Sequence, residues 1–217
     1  MPYLFTLLCL LCVTSTQVSA EMMSYPVGQF SAGTLHGWTE KKFNGQTEYT
    51  LTTDISSQRN VLLATSHASA SGLYFKQRID LQKTPWLNWS WKTNTLLKDL
   101  DENSISGDDF VARIYIVLDG GLAFWKTRAL NYVWSSSHQP HDFWPSPYTA
   151  NSTMFAVESG DQNLGVWQYY KRNIRQDILT FLGKDVRYID AVAIMADTDD
   201  SGLSASTAFG DIIFTSE

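Results

Sequence analysis

Asp197, Asp199 and Asp200, in the stretch "MADTDDSG" (195–202), concentrate more chemistry in fewer positions than any other part of this 217-residue sequence. Carboxylates at alternate positions followed by a glycine resemble the opening of an oxygen-rich calcium loop, in which the backbone curls round the ion. Asp197, Asp199 and Gly202 take the first, third and sixth positions, and Ser201 takes the fifth. The twelfth is Ala208, not the bidentate glutamate of an EF-hand, so that class of site is excluded. Three readings stay open. Asp197, Asp199 and Asp211 of the last strand can form a structural Ca²⁺ site, the acids can make a turn by bonding local amides, or Asp197 can serve in ligand binding or catalysis.

A second candidate is "GDDFVARIY" (107–115). Alternation along a strand puts Asp109, Val111, Arg113 and Tyr115 on one face and Ala112, Ile114 and Ile116 on the other. A buried Arg needs an acceptor, because an unpaired charge there costs several kcal/mol. Arg113 is therefore read either as an internal salt bridge, to Asp109 or an acid of the next strand, or as part of a sugar-binding face. In the second case guanidinium and carboxylate bind hydroxyls and Tyr115 offers a ring to stack on. "RALNYVW" (128–134) repeats the pattern, with Leu130, Tyr132 and Trp134 sharing a face. Asp109, Arg113, Tyr115, Tyr132 and Trp134 form the candidate ligand-binding set.

The stretch 135–151 carries His138, His141, Trp144 and Tyr148 and reads as a long loop. Two histidines without a third ligand are a weak metal signal, whereas exposed aromatics on a long loop suit sugar rings. A glycosidase needs two carboxylates facing each other, roughly 5–9.5 Å apart. Asp109 with Asp197 or Glu158 is a possible pair, but nothing in the sequence selects it. A polysaccharide lyase would pair Tyr132 or His138 as base with Arg113 as neutraliser. No Gly-x-Ser-x-Gly elbow and no glycine-rich phosphate loop is present, which disfavours serine hydrolases and nucleotide chemistry.

The elements that must position these residues are strands. Alternating or short apolar runs fall at 47–52, 60–65, 86–93, 110–118, 129–134, 154–158, 188–196 and 209–215. In 86–93 (WLNWSWKT) Leu87, Trp89 and Trp91 share one face, read as core. One segment breaks the period of two: Tyr170, Ile174, Ile178 and Phe181/Leu182 make a helical stripe over 170–182, ended by Gly183. Lys171, Arg172 and Arg175 sit in its first half, where the helix dipole disfavours cations. They form a solvated basic face or answer an acidic neighbour such as the Asp197 loop.

The ordered stretches "SASGLYF", "PWLNWSWK", "GDDFVARIYIV", "LNYVW", "RNIRQDILTFLG" and "AIMADTDDSG" with "AFGDIIF" resemble the bacterial domain-of-unknown-function family 3047. The resemblance runs from about Phe30 to Phe214. It implies an exported protein with no activity to carry over, and a look similar to jelly-roll modules that bind carbohydrate.

The expected fold is all-β: a jelly-roll-like antiparallel β-sandwich with one short α-helix (170–182), occupying residues 21–217 as a single domain. Residues 1–20 read as a secretory signal, with the apolar run Tyr3–Val13 followed by Val18-Ser19-Ala20. That run is too short for a bilayer, which takes about 20 helical residues, so no stable membrane insertion is expected. Both cysteines, Cys9 and Cys12, lie inside it. A net charge of −6 without a Lys/Arg run disfavours nucleic acid. A hydrophobic fraction of 44%, with eight Trp and ten Tyr, supports a packed core. The sequence thus points to an exported protein, periplasmic or extracellular, that binds a glycan or cell-envelope polysaccharide. The alternatives are a polysaccharide-degrading lyase or glycoside hydrolase and a structural envelope protein.

Overall fold

The computed structural model describes residues 22–119 and 126–217. The secretory signal read at 1–20 lies outside the described residues. In chain order the strands begin with β1 (Ser24–Gly28), β2 (Trp38–Asn44), β3 (Glu48–Asp54), β4 (Arg59–His67), β5 (Ala70–Phe75) and β6 (Ile79–Asp80). Then come β7 (Trp86–Thr93), β8 (Arg113–Leu118), β9 (Arg128–Ser135), β10 (Phe143–Ser146), β11 (Thr149–Ser159) and β12 (Gln168–Asn173). Helix α1 (Ile174–Leu182) precedes β13 (Tyr188–Ile189), β14 (Ala191–Met195), β15 (Ser204–Phe209) and β16 (Ile212–Thr215).

These elements form two seven-stranded sheets. Sheet A runs β1-β16-β7-β15-β4-β3, with β12 on the other edge of β7. In it β15 and β16 pair in succession along one edge of β7, Phe209 opposite Trp91 and Ile213 opposite Asn88. Sheet B runs β10-β11-β9-β8-β14-β5-β2. A short ladder of β6 with β13 completes the pairing.

Alternation in the strands decides what lies between the sheets. From sheet A come Leu62, Leu87, Trp89, Trp91, Phe209 and Phe214; from sheet B come Leu73, Ile114, Ile116, Leu130, Tyr132, Trp134 and Ile194, all in one buried cluster. Burying each Leu or Phe contributes roughly 1.5–3 kcal/mol. The Trp89 ring bridges the layers, 5.3 Å from Tyr132 and 5.1 Å from Tyr170 between centroids. Among the described residues the fold is therefore an all-β sandwich with one α-helix, and Trp89 and Trp91 of β7 are core.

Three features differ from the sequence reading. The stretch 135–151, read as a long loop, carries β10 and the start of β11, which pair with each other across a tight turn. One pair of strands is parallel: β11 runs alongside β9 in the same direction, because β10 carries the chain back before β11 enters the sheet. The helix covers 174–182, not 170–182. Residues 170–173 continue β12 along β7, where pairing and the stacked Tyr170 and Trp89 rings outweigh the helical spacing. Asn173 then caps the helix by accepting from the Gln176 amide at 3.1 Å. Gly183 ends it in the left-handed conformation, φ 64°. Among the described residues no helix is long and apolar enough to cross a membrane.

Candidate functional site

The outward side of sheet B carries a groove whose floor follows directly from strand register. One row of paired residues across the sheet is Thr39, Tyr74, Ala193, Tyr115, Asn131 and Met154. The next is Lys41, Gly72, Met195, Arg113, Val133 and Ala156. Gly72 leaves room for the Tyr74 ring, whose Cε2 lies 3.2 Å from where a Cβ would stand. Val133, Met154 and Ala156, by contrast, are roofed by Phe110 and Trp144 in a second small apolar cluster. One part of this face is therefore covered, and the remainder opens into a groove of about 730 Å³. Tyr74 and Tyr115 lie on its floor, with Phe43, Tyr148, Lys76 and Arg128 around it. A recess of about 270 Å³, lined by Asp199 and Asp200, shares Phe43, Asp108, Arg113, Tyr115 and Tyr148 with the groove.

Arg113 anchors the floor where the two openings meet. Its Nε donates to Asp197 Oδ1 at 2.8 Å and its Nη2 to Asp197 Oδ2 at 2.5 Å. Nη2 also donates to the Asp108 carbonyl, and Nη1 to the Tyr115 hydroxyl at 3.3 Å. The guanidinium lies 4.3 Å from the centre of the Phe110 ring. Only 4% of Arg113 is exposed. Burial opposes its charge, but Asp197, Tyr115 and Asp108 outweigh that and hold its pKa above the ordinary range. Burial pushes the Asp197 carboxyl up, against the pull of Arg113. Burial likewise raises the Tyr115 phenol and the Asp108 carboxyl. Asp108 Oδ1 is a buried acceptor with no hydrogen-bond partner among the described residues.

The acidic loop is thus occupied by a cation of the protein itself, and that cation is Arg113. The other candidates are engaged elsewhere: Arg172 pairs with Asp177 at 2.6 Å, Arg175 with Asp185 at 2.8 Å, and Lys171 lies over the Trp86 ring. Asp109 faces the loop from below. Its carboxylate accepts the Ser201 amide at 2.6 Å and the Asp200 amide at 3.3 Å, the local amide bonding expected of a turn. The Tyr148 hydroxyl reaches across to Asp200 at 2.6 Å.

The five predicted ligand-binding residues do not converge. Arg113 and Tyr115 reach the groove, while Asp109 holds the loop behind it. Tyr132 and Trp134 point the other way, into the core, because Tyr132 pairs with Ile114 and not with Tyr115. The Tyr132 hydroxyl donates to Asp177 at 2.6 Å and the Trp134 indole to the Gly160 carbonyl at 3.0 Å. The predicted calcium set separates as well. Asp197 is taken by Arg113, and Asp211 lies past the far end of β15, bonded to Ser31 at 2.8 Å. The acids that do approach one another are Asp109, Asp199 and Asp200, with oxygens within 4.8 Å.

The catalytic sets fare similarly. Glu158 accepts from Tyr170 at 2.7 Å and does not line either opening. His138 stacks on Trp144 at 3.7 Å between centroids, so neither it nor Tyr132 stands over Arg113 as a base. Tyr148, read among the aromatics of 135–151, does line the groove, whereas Tyr74, Phe43, Lys41 and Asp108 were missed. For Tyr74 the available signal was "GLYF", where Gly72 and Tyr74 share the face opposite Leu73 and Phe75.

Comparison with solved structures finds distant matches. A cellulase derived from the Cel12A cellulase of Rhodothermus marinus aligns with a TM-score of 0.49 at 11% identity, covering 89% of this chain and 100% of that one. CBM29_1, a family 29 carbohydrate-binding module from Piromyces equi, aligns at 0.41 and 12%, covering 91% and 93%. A carbohydrate-binding-module structure from the β-sandwich superfamily aligns at 0.45 and 13%, covering 86% and 60%. No match to a curated protein was found. The model of the family described as protein of unknown function, DUF3047, matches residues 36–213, and the chain belongs to that family.

Proposed function

We propose that the protein is exported and binds a segment of a glycan, such as a cell-envelope polysaccharide, in the groove on the outer face of sheet B. The observation that carries this reading is an open groove of about 730 Å³ floored by Tyr74 and Tyr115 and bordered by Phe43 and Tyr148. Flat rings suit the apolar faces of pyranoses, and charged and hydroxyl groups between them suit the equatorial hydroxyls. Arg113 contributes order: locked by Asp197, it holds the Tyr115 ring and the Asp108 backbone in place before a ligand arrives, which lowers the entropic cost of binding. The secretory reading of residues 1–20 puts such a ligand outside the cytoplasm.

The test is a glycan array screened with the purified protein, followed by calorimetry on the strongest ligand. Binding to at least one polysaccharide is expected. Tyr148→Ala, at an exposed position, should weaken it by about tenfold, the worth of one stacked ring and its hydroxyl. An array without signal, or full affinity in Tyr148→Ala and Tyr74→Ala alike, sinks the proposal.

A further inference from the structure

The outer face of sheet A, on the opposite side of the molecule, carries a separate depression of about 400 Å³. The pairing of β12 with β7 sets Tyr169 beside Ser90 and Lys171 beside Asn88 on this face. Next to them the chain bulges out between β15 and β16 at Gly210 and Asp211. A Cβ on Gly210 would lie 2.3 Å from Ser90 Oγ, so only glycine lets the Ser90 hydroxyl lie across the floor. Ser57 Oγ, also in the lining, is buried without a hydrogen-bond partner among the described residues.

The walls combine two rings and two cations. Trp167 and Tyr169 line the depression, Tyr169 being 67% exposed although it belongs to a regular strand. Arg59 and Lys171 line it too, and among the described residues neither has a carboxylate within salt-bridge distance. Lys171 lies 5.3 Å from the centre of the Trp86 ring. The lining contains one carboxylate, Asp211, and it is already engaged: its oxygens accept the Ser31 amide at 2.8 Å and the Ser31 hydroxyl at 2.5 Å. With two cations against one carboxylate the lining is net positive, on a protein whose net charge is −6.

We infer that this depression is a second binding site, selective for an acidic saccharide of the uronate type. The sugar ring stacks on Tyr169 and Trp167, its carboxylate meets Arg59 and Lys171, and a hydroxyl meets Ser90. An acidic ring fits all three parts of the lining, whereas a neutral sugar leaves both cations unmatched. None of these residues belongs to the groove on sheet B, so the inference stands or falls apart from that site.

Calorimetry with a galacturonate tetramer and with its neutral methyl ester tests it. The tetramer should bind, and the ester should bind at least about fivefold more weakly, as expected for one or two solvent-exposed charge contacts. Tyr169→Ala should weaken the tetramer by about tenfold, Arg59→Gln should reduce the preference over the ester, and Arg59→Gln with Lys171→Gln should erase it. All three positions are exposed, so the fold should survive these changes. In ¹⁵N-correlated NMR spectra the Trp167 indole signal, identified by its loss in Trp167→Phe, should shift on titration. Lack of binding, equal affinity for the ester, or binding that leaves the Trp167 signal in place overturns the inference. A tetramer that binds through Tyr169 when the glycan array is silent supports this site and counts against the sheet B groove.

Discussion

Sheet B carries an Arg–Asp–Tyr group on each of its faces. Outside, Arg113 holds Asp197 in a two-pronged pair and donates to Tyr115; inside, Arg172 holds Asp177 at 2.6 and 2.8 Å, and Tyr132 donates to the same carboxylate. Each guanidinium also covers a phenylalanine, Phe110 at 4.3 Å and Phe155 at 4.8 Å. The difference lies in stoichiometry and access. Inside, one Arg meets one Asp, and the group ties α1 and the end of β12 to β9. Outside, one Arg meets Asp197 and also stands 3.7 Å from the Asp108 carboxylate, and the group borders an opening. The same three side chains thus form a clasp where one Arg answers one Asp, and border a groove where the Arg is the more buried and has surplus acceptors around it.

The comparison breaks first at the arginines. Arg113→Met leaves Asp197 and Asp108 buried without their cation, and should cost about 3–5 kcal/mol in urea denaturation. Arg172→Met should cost less, about 1–2 kcal/mol, because its side chain is 27% exposed and water screens the loss. Equal losses would mean that burial does not separate the two groups.

How much of this was legible depended on whether alternation alone could decide. The bounds of β7, the Leu87/Trp89/Trp91 core stripe and the Gly183 helix end were readable, because spacing and residue type agree there. For β9 the stripe Leu130/Tyr132/Trp134 was grouped as one face, but alternation does not say which face is inside. Pairing supplies that sign, and it comes from strands far away in sequence. β5 (ASGLYF) and β15 (SASTAF) look like breaks because Ala, Ser and Gly are poor strand formers. They serve as strands because small residues let neighbours close in, as where Tyr49 donates to the Ser71 carbonyl at 2.5 Å. The groove itself draws on β2, β5, β8, β9 and the turn before β11, a convergence that no local window contains. Arg113 was read as needing an acid, Asp109 or one on the next strand; the acid is Asp197, 84 residues away, just past the end of the neighbouring strand β14.

A smaller effect tests the clasp. Tyr132→Phe removes one donor from Asp177 while leaving Arg172 in place, which should cost about 1 kcal/mol. Because Tyr132 faces the core, glycan affinity in the sheet B groove should stay at the parent value. A loss of affinity with stability preserved would put Tyr132 back among the binding residues.

The smallest effect concerns the surplus carboxylate. Burial pushes the Asp108 carboxyl above its usual range; Arg113 opposes this, and Asp200 and Asp109 add to it. Asp199 is raised too, by burial and by Asp200. A carboxyl raised in the fold keeps its proton where the unfolded chain has already lost it. Between about pH 4, where an unfolded Asp titrates, and its folded pKa, the native state therefore binds more protons than the unfolded chain, and stability falls as pH rises across that window. Asp108→Asn removes one contributor, so its melting temperature should exceed the parent's at pH 7 and converge with it near pH 4 in a fluorescence melt. A lower melting temperature at pH 7 would show that the ionised Asp108 serves Arg113 as a partner. The outer group would then be a balanced cluster like the inner one, and its acceptors would no longer be spare for a ligand.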